Sequence, residues 1–461
     1  MDMGKRLMRY SILLLALISA NLMASAPIGS STVLGSYANR QSLMTSLSNP
    51  AAPYLMTNIQ SFRAGFLGPL SLGYEIGDAK DLKDQVDQLE TILEKDYSSS
   101  LSSLTVVDLA KLGLTTNSTN EEISNALLNG DTEVSRAVSQ ANTILGDIGD
   151  TAYVKLSGGL QVPFMPVIYK TNNRGAFMLD SDVSFVGRVG VLSDDISAKV
   201  SGEDVELSSD TAVFLKRATD FRVGLGYSQA VGRPVSGALI LGGKINLHSI
   251  ALGQKLSFLT NKDDNGTDAF GDFLMNRENV QSGISLDLGA IWTAPNYQLG
   301  ATVTSINEPE FDFEELGNCS GLSGSELASC SSTVNLSNKG KLNLKETYKM
   351  KAQLTLDVAL MSTNQNWSLS GSYDANPVED AVGDRYQWKT VSLSYFSDNL
   401  YFPGIRIGYR KNHAGSKLSY ATVGATFFRR LDFDIAYGLE KASGESLPRS
   451  LYFSLGYGFA F

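Results

Sequence analysis

Ser450-Leu451-Tyr452-Phe453-Ser454-Leu455-Gly456-Tyr457-Gly458-Phe459-Ala460-Phe461 is the stretch on which the reading turns. Taken in steps of two, Leu451, Phe453, Leu455, Tyr457, Phe459 and Phe461 share one face of a strand, and Ser450, Tyr452, Ser454, Gly456, Gly458 and Ala460 share the other. One face is greasy and the other small or polar. The preceding stretch repeats the pattern, with Leu431, Phe433, Ile435 and Tyr437 opposite Asp432, Asp434, Ala436 and Gly438. Farther back, Ile405, Ile407 and Tyr409 oppose Arg406, Gly408 and Arg410. Leu354, Leu356 and Val358 oppose Gln353, Thr355 and Asp357, and Phe221, Val223 and Leu225 oppose Arg222, Gly224 and Gly226. Charge on the narrow face is costly in a soluble core and natural in a wet lumen.

A soluble β-sandwich also alternates, so the connectors decide. Ala294-Pro295-Asn296, Asn364-Gln365-Asn366 and Arg429-Arg430 are tight, whereas 260–280, 306–345, 375–385 and 441–448 are long and polar. Short turns on one rim and long loops on the other are the asymmetry of an outer-membrane barrel. Aromatic residues gather near strand ends at Trp292, Tyr395-Phe396, Tyr401-Phe402 and Phe427-Phe428, where membrane girdles lie. The predicted fold is therefore an all-β transmembrane antiparallel β-barrel over 151–461 with a small α-helical insertion. Counting back gives about 12 strands from 205 onward, with further candidates at 153–170, 175–192 and 61–76. Fourteen is favoured, within a range of 12–16, because both termini should return to the same side. Lumen-facing charges are Arg188, Arg222, Asp287, Asp357, Arg406, Arg410, Asp432 and Asp434, which could pair across the barrel or line a wet pore.

The chain has 461 residues and a formal net charge of -10, with two histidines and two cysteines. An acidic protein is poorly suited to nucleic acid, so none is expected as a partner. Beyond the first 26 residues no stretch approaches the roughly 20 apolar residues of a membrane-spanning helix. Those 26 read as a signal peptide: Lys5, Arg6 and Arg9 precede the apolar run 12–18, and Ala24-Ser25-Ala26 supplies the small residues of a cleavage site. The expected location is a Gram-negative outer membrane, with lipid as the surrounding solvent. The terminal aromatics Tyr457, Phe459 and Phe461 resemble the signal read by barrel-assembly machinery, which makes that machinery an expected partner.

Residues 78–150 follow a different period. Leu82, Val86, Leu89 and Leu93 form a narrow helical stripe, Thr119 with Glu122 offers a capping box, and Val134, Val138, Ala141 and Leu145 mark a further helix. This insertion could be a periplasmic docking module for other envelope proteins or a plug. Residues 27–60 read as a hatch-like segment, and 61–77 as a first strand or part of the plug.

Ser48-Asn49-Pro50-Ala51-Ala52, then Phe62-Arg63-Ala64-Gly65-Phe66, then Gly73-Tyr74-Glu75-Ile76-Gly77-Asp78 leading into the acidic helix resemble the conjugal transfer TraF-like family of outer-membrane proteins. Ser285-Leu286-Asp287-Leu288-Gly289-Ala290 followed by Gln298-Leu299-Gly300-Ala301 is similar to the same family. The resemblance implies a single barrel of the wider FadL-like channel type, linked to plasmid transfer as a non-catalytic anchor, scaffold or channel component. Passage of hydrophobic small molecules is the alternative. It also implies that Asn49, Pro50 and Ala51 belong to a hatch in the lumen. The TraF name also covers thioredoxin-like proteins, but this sequence has no Cys-x-x-Cys.

Other chemistry is sparse, and no cofactor is expected. Cys319 and Cys330 lie in the longest polar loop, where a disulfide is expected to contribute about 3 kcal/mol by chain entropy. No metal site is expected. Asn261, Asp263, Asn265 and Asp272 imitate a calcium loop but lack flanking helices and the final Glu, so a calcium-responsive adhesin is the weakest reading. There is no Gly-x-Ser-x-Gly turn. His248 ends a strand and His413 sits in a connector, and either could meet an Asp or Ser in space.

Overall fold

The computed structural model describes residues 29–460 except 57–60, 80–81, 96, 98–111, 116–117, 131, 172–174, 202–203, 233–236, 259–278, 398 and 443–446. The signal-peptide stretch, the calcium-like loop at 261–272 and Phe461 lie outside the described residues.

The first barrel strand, β1, is Phe62–Ile76. β2 runs in two collinear pieces, Tyr153–Gln161 and Val167–Lys170, both paired to β1 on one side. β3 (Ala176–Leu192) takes the other side of both pieces. The ladder continues through β4 (Ala212–Gly232), β5 (Ala238–Phe258), β6 (Val280–Thr293) and β7 (Tyr297–Thr304). It is completed by β8 (Gln353–Met361), β9 (Trp367–Asp374), β10 (Trp388–Tyr395), β11 (Gly404–Asn412), β12 (Ser419–Phe427), β13 (Leu431–Gly438) and β14 (Ser450–Ala460). β14 pairs antiparallel with β1, from Glu75↔Ser450 to Arg63↔Ala460, so the sheet closes on itself. The result is a closed 14-strand antiparallel β-barrel. Closure satisfies every edge, which is what permits a sheet to live in hydrocarbon.

Eleven of these strands follow residue 205, not about 12. Short arms pair only with one another outside the barrel sheet: Ser197–Ser201 with Asp204–Ser208, Glu310–Asp312 with Thr347–Lys349, and Val378–Glu379 with Arg385–Tyr386.

Burial runs opposite to that of a soluble protein. Along β11, Ile405, Ile407 and Tyr409 are exposed (44%, 50% and 44%), while Arg406 and Arg410 between them are buried (0% and 5%). The same inversion holds on β6, where Ile284, Leu286 and Leu288 face out and Ser285 and Asp287 face in. An apolar belt outside and a polar lumen inside identify lipid as the outer solvent. Trp367, Tyr297, Tyr169, Phe177, Tyr401 and Phe428 are exposed on the tight-turn rim. Tyr373, Tyr409 and Tyr437 lie toward the other rim, so the belt is bounded by aromatics on both sides. Phe396 departs from its expected girdle place: it is buried, with the Arg406 guanidinium 5.8 Å from its ring centre. No helix among the described residues is long and apolar enough to cross a membrane.

The insertion lies on the rim of long loops, not among the tight turns. It contains α3 (Leu82–Glu94), α4 (Asn120–Asn129) and α5 (Glu133–Thr151), following two short helices nearer the N-terminus, α1 (Ser31–Leu34) and α2 (Ala52–Met56). Thr119 and Glu122 form the capping box at the start of α4. Val86, Leu89, Leu127, Val134, Val138 and Leu145 bury one another and also pack on Val189, Val191, Val213 and Leu215, at the loop-side ends of β3 and β4. β4 and β5 have 21 residues each, about twice the 9–11 that cross a membrane, so they project beyond it and supply this wall. The plug reading is thereby corrected: the insertion packs on the outward-facing side of the wall at the rim of long loops, outside the lumen.

The 306–345 stretch also holds a helix, α6 (Gly324–Asn338), that no sequence period announces. Its Leu336 is buried with Leu342 against Ala212 and Phe258, and a disulfide ties Cys330 in the middle of the helix to Cys319 in the segment before it.

Ile407→Arg places a charge on the lipid face and is expected to lower barrel stability by about 2–4 kcal/mol, as denaturant unfolding in lipid vesicles would measure. Ile407→Leu should change it by less than about 1.5 kcal/mol.

Candidate functional site

The lumen is occupied by the chain's own N-terminal segment. Residues 29–56 enter from the tight-turn rim as α1, a 3-10 turn (Leu43–Leu47) and α2. Gly29 N donates to Ser454 Oγ of β14 at 2.7 Å, Ser42 Oγ to Asp432 Oδ2 of β13 at 3.0 Å, and Tyr54 N to Ser228 Oγ of β4 at 2.9 Å. Three bonds to three parts of the wall fix the hatch in place.

Asn49, Pro50 and Ala51 press on the wall between β5 and β6. Asn49 Oδ1 accepts from Ala51 N at 2.9 Å, closing an Asx turn, and Asn49 Nδ2 donates to the Ala301 carbonyl at 3.4 Å. Two glycines, paired in register, make the approach possible: a Cβ on Gly242 would lie 2.1 Å from the Pro50 carbonyl oxygen, and one on Gly289 would lie 2.2 Å from Asn49 Oδ1. Side chains there would expel the hatch.

Charged residues on the strands pair above and around it. Arg406 Nε donates to Asp434 Oδ1 at 2.9 Å, its Nη1 lies 3.4 Å from Asp432, and it also bonds Thr426. Arg222 and Lys244 share Asp180, and Arg222 also holds Asp182 at 2.7 Å. Asp287 accepts from Asn246 Nδ2 at 2.7 Å and from Ser305 N at 2.8 Å. Arg410 stacks its guanidinium on Trp388, 3.6 Å from the ring centre. Asp357 is buried in the lumen, where the absence of a side chain at Gly300, its partner in the ladder, leaves it room.

From the exterior, the 375–387 loop folds inward. Lys155 on β2 binds Asp380 and, at 3.0 Å, Asp384, and Arg188 on β3 reaches Asp384 at 2.6 Å. Burial pushes the Asp380 carboxyl up against the pull of Lys155. Burial acts on Asp384 too, but Lys155 and Arg188 together outweigh it and hold that carboxyl below its ordinary value. Ala381 and Val382 plug into Phe185, Val186, Ala218 and Phe311. The hatch thus fills the lumen from below and this loop enters it from above.

A cleft of about 310 Å³ remains beneath the inward loop, lined by Asp220, Arg222, His248, Ser285, Asp287 and Tyr348 among others. Another, of about 360 Å³, opens at the lower mouth between Tyr37, Arg40, Arg63 and Phe396. His248 does not end a strand, as the sequence suggested: β5 continues to Phe258, because loops cover both faces there and the alternation that marks a strand fades. Its ring lies inside, with Nδ1 2.7 Å from Asp220 Oδ2 and Nε2 2.8 Å from Ser285 Oγ.

A profile of the family described as "F plasmid transfer operon, TraF, protein" matches residues 46–374, spanning the hatch motif, the insertion and the first nine strands. The chain belongs to this TraF family. Among curated proteins no sequence matches it. Of solved structures, a Pseudomonas aeruginosa FadL homologue is similar at 14% identity and a TM-score of 0.43, over 96% of this chain and 100% of that one. The Pseudomonas putida toluene transporter TodX is similar at 11% identity and a TM-score of 0.43, over 96% and 99%. The Ralstonia pickettii toluene transporter TbuX is similar at 13% and 0.41, over 96% and 99%. The strand ladder, rather than these distant likenesses, defines the fold of this TraF-family barrel.

All eight charges expected in the lumen lie on the inner side, and Arg406, Asp432 and Asp434 come together, whereas Arg188 and Arg222 join separate clusters. Tyr457 and Phe459 lie on β14 against β1. Lys155, Asp180, Asp220, Lys244, His248 and Asp380 are additional. Asp220 and His248 share strand parity with Arg222 and Asn246, a signal present in the sequence. The Lys155–Asp380 pair spans most of the barrel and leaves no local trace.

Arg406→Ala strands two buried carboxylates and is expected to cost about 3–5 kcal/mol of barrel stability in the same unfolding assay. Replacing Lys155 and Arg188 together by Ala frees the inward loop, and single-channel recordings in planar bilayers should then show more frequent openings than in the wild type.

Proposed function

We propose that this TraF-family barrel is an outer-membrane anchor in conjugal plasmid transfer, exported through a cleaved leader, and that its exterior helical cap is the contact surface. The cap carries the reading. Its core is continuous with the outer face of β3 and β4, and it stands on β-strands extended beyond the membrane. A diffusion channel needs no such structure. The charged lumen also favours an anchor over a conduit for hydrophobic molecules, which would meet paired Arg and Asp at each level.

The outward surface of the cap is acidic: Asp84, Asp87, Glu121, Glu122, Asp147 and Asp150 are exposed. A partner with a basic protein surface suits it, and salt should slow their association.

Donor cells lacking the gene should transfer plasmid at reduced frequency, restored by the wild-type chain but not by one whose residues 82–148 are replaced by a short linker. Heat-modifiable migration would verify that the shortened barrel folds. Undiminished transfer from the gene deletion, at normal growth and envelope integrity, would sink the proposal.

A further inference from the structure

We propose that Asp220, His248 and Ser285 form an acyl-transfer site in the cleft beneath the inward loop, with a short-chain carboxylic ester as the substrate class. Three strands supply one residue each: Asp220 from β4, His248 from β5 and Ser285 from β6. The ladder sets His248 one register step from each of the others, opposite Arg222 on one side and Gly283 on the other.

The hydrogen-bond chemistry fixes the direction of the array. An ionised Asp220 can only accept, so His248 Nδ1 carries the hydrogen across the 2.7 Å contact. In the neutral imidazole Nε2 is then the acceptor, 2.8 Å from Ser285 Oγ, to which the hydroxyl can donate. Asn246 Nδ2 donates to the same Ser285 Oγ at 3.1 Å and is steadied by Asp287 at 2.7 Å. Nucleophile, base, positioning carboxylate and an amide donor beside the reacting oxygen therefore meet at one wall of a cavity.

That cavity suits an acyl group. Val186, Ala218, Ile250 and Val378 line it beside the polar set, and about 310 Å³ accommodates a small ester. Ser285 Oγ bonds to the acyl carbonyl carbon while its proton passes to His248 Nε2. The Asn246 amide turns its N–H to the oxygen that gains charge. Collapse breaks the bond from acyl carbon to alkoxide oxygen, and the departing oxygen takes the proton from Nε2. A solvent water then repeats the sequence, releasing the carboxylic acid and restoring Ser285. Asp220 is a positioning residue that acts through the imidazole.

The full-length protein in detergent micelles would be treated with an alkyl fluorophosphonate probe, and the modified peptide mapped by mass spectrometry. Covalent labelling of Ser285 is expected, abolished by prior heat denaturation, with parallel hydrolysis of p-nitrophenyl butyrate. His248→Gln should slow both by about 100-fold or more, the usual contribution of a general base, and Ser285→Ala should remove both. Each variant is checked for heat-modifiable migration, and the mapping in the wild type stands whether or not they fold. A wild-type chain unlabelled at Ser285, or a folded His248→Gln variant labelled at the wild-type rate, would reduce the three residues to a structural hydrogen-bond network.

Discussion

Lipid on the outside is the constraint from which the rest of this structure follows. A strand in hydrocarbon must turn its apolar side chains outward, and the residues between them, which point the other way, become the only place for charge. In β11 the demand is met residue by residue, with Ile405, Ile407 and Tyr409 in the belt and Arg406 and Arg410 inside. Charges gathered in a lumen must then find one another. The pairs of Arg406 with Asp432 and Asp434, and of Arg222 and Lys244 with Asp180, are consequences of the outer solvent as much as of any function.

Those pairs also decide what the lumen does. Isolated charges would hold water and leave a wet pore. Here Asp432 binds the hatch through Ser42, and Lys155 binds the inward loop through Asp380 and Asp384. The network that neutralises charge is therefore the network that holds the hatch and the inward loop in place. Gly242 and Gly289 complete the fit, because the hatch backbone rests where side chains would stand.

The exterior rim obeys a different rule. Once β3, β4 and β5 leave the membrane their outer faces meet water, and the apolar residues there must be covered. The insertion covers Val189, Val213 and Leu215 on the outer face, and α6 covers Ala212 and Phe258 on the inner face of the same extensions. A barrel without a cap would not need these long strands, and the cap would have no footing without them. Membership in the TraF family and the acidic surface of the cap direct attention to this rim rather than to the lumen.

By itself the sequence determined the barrel, its strand parity, the two rims, the helical insertion and the inner position of the eight charges, because each rests on a period of two or 3.6 residues or on loop length. It over-counted the strands after 205, and it missed α6, whose apolar residues follow no single stripe. Only the tertiary structure decided that the insertion lies outside, that His248 stands within β5 between Asp220 and Ser285, and that Lys155 meets Asp380. The reason is geometric: residues that touch across a closed sheet or through its lumen can lie hundreds of positions apart, as Ser42 and Asp432 do, and no local pattern records such a meeting.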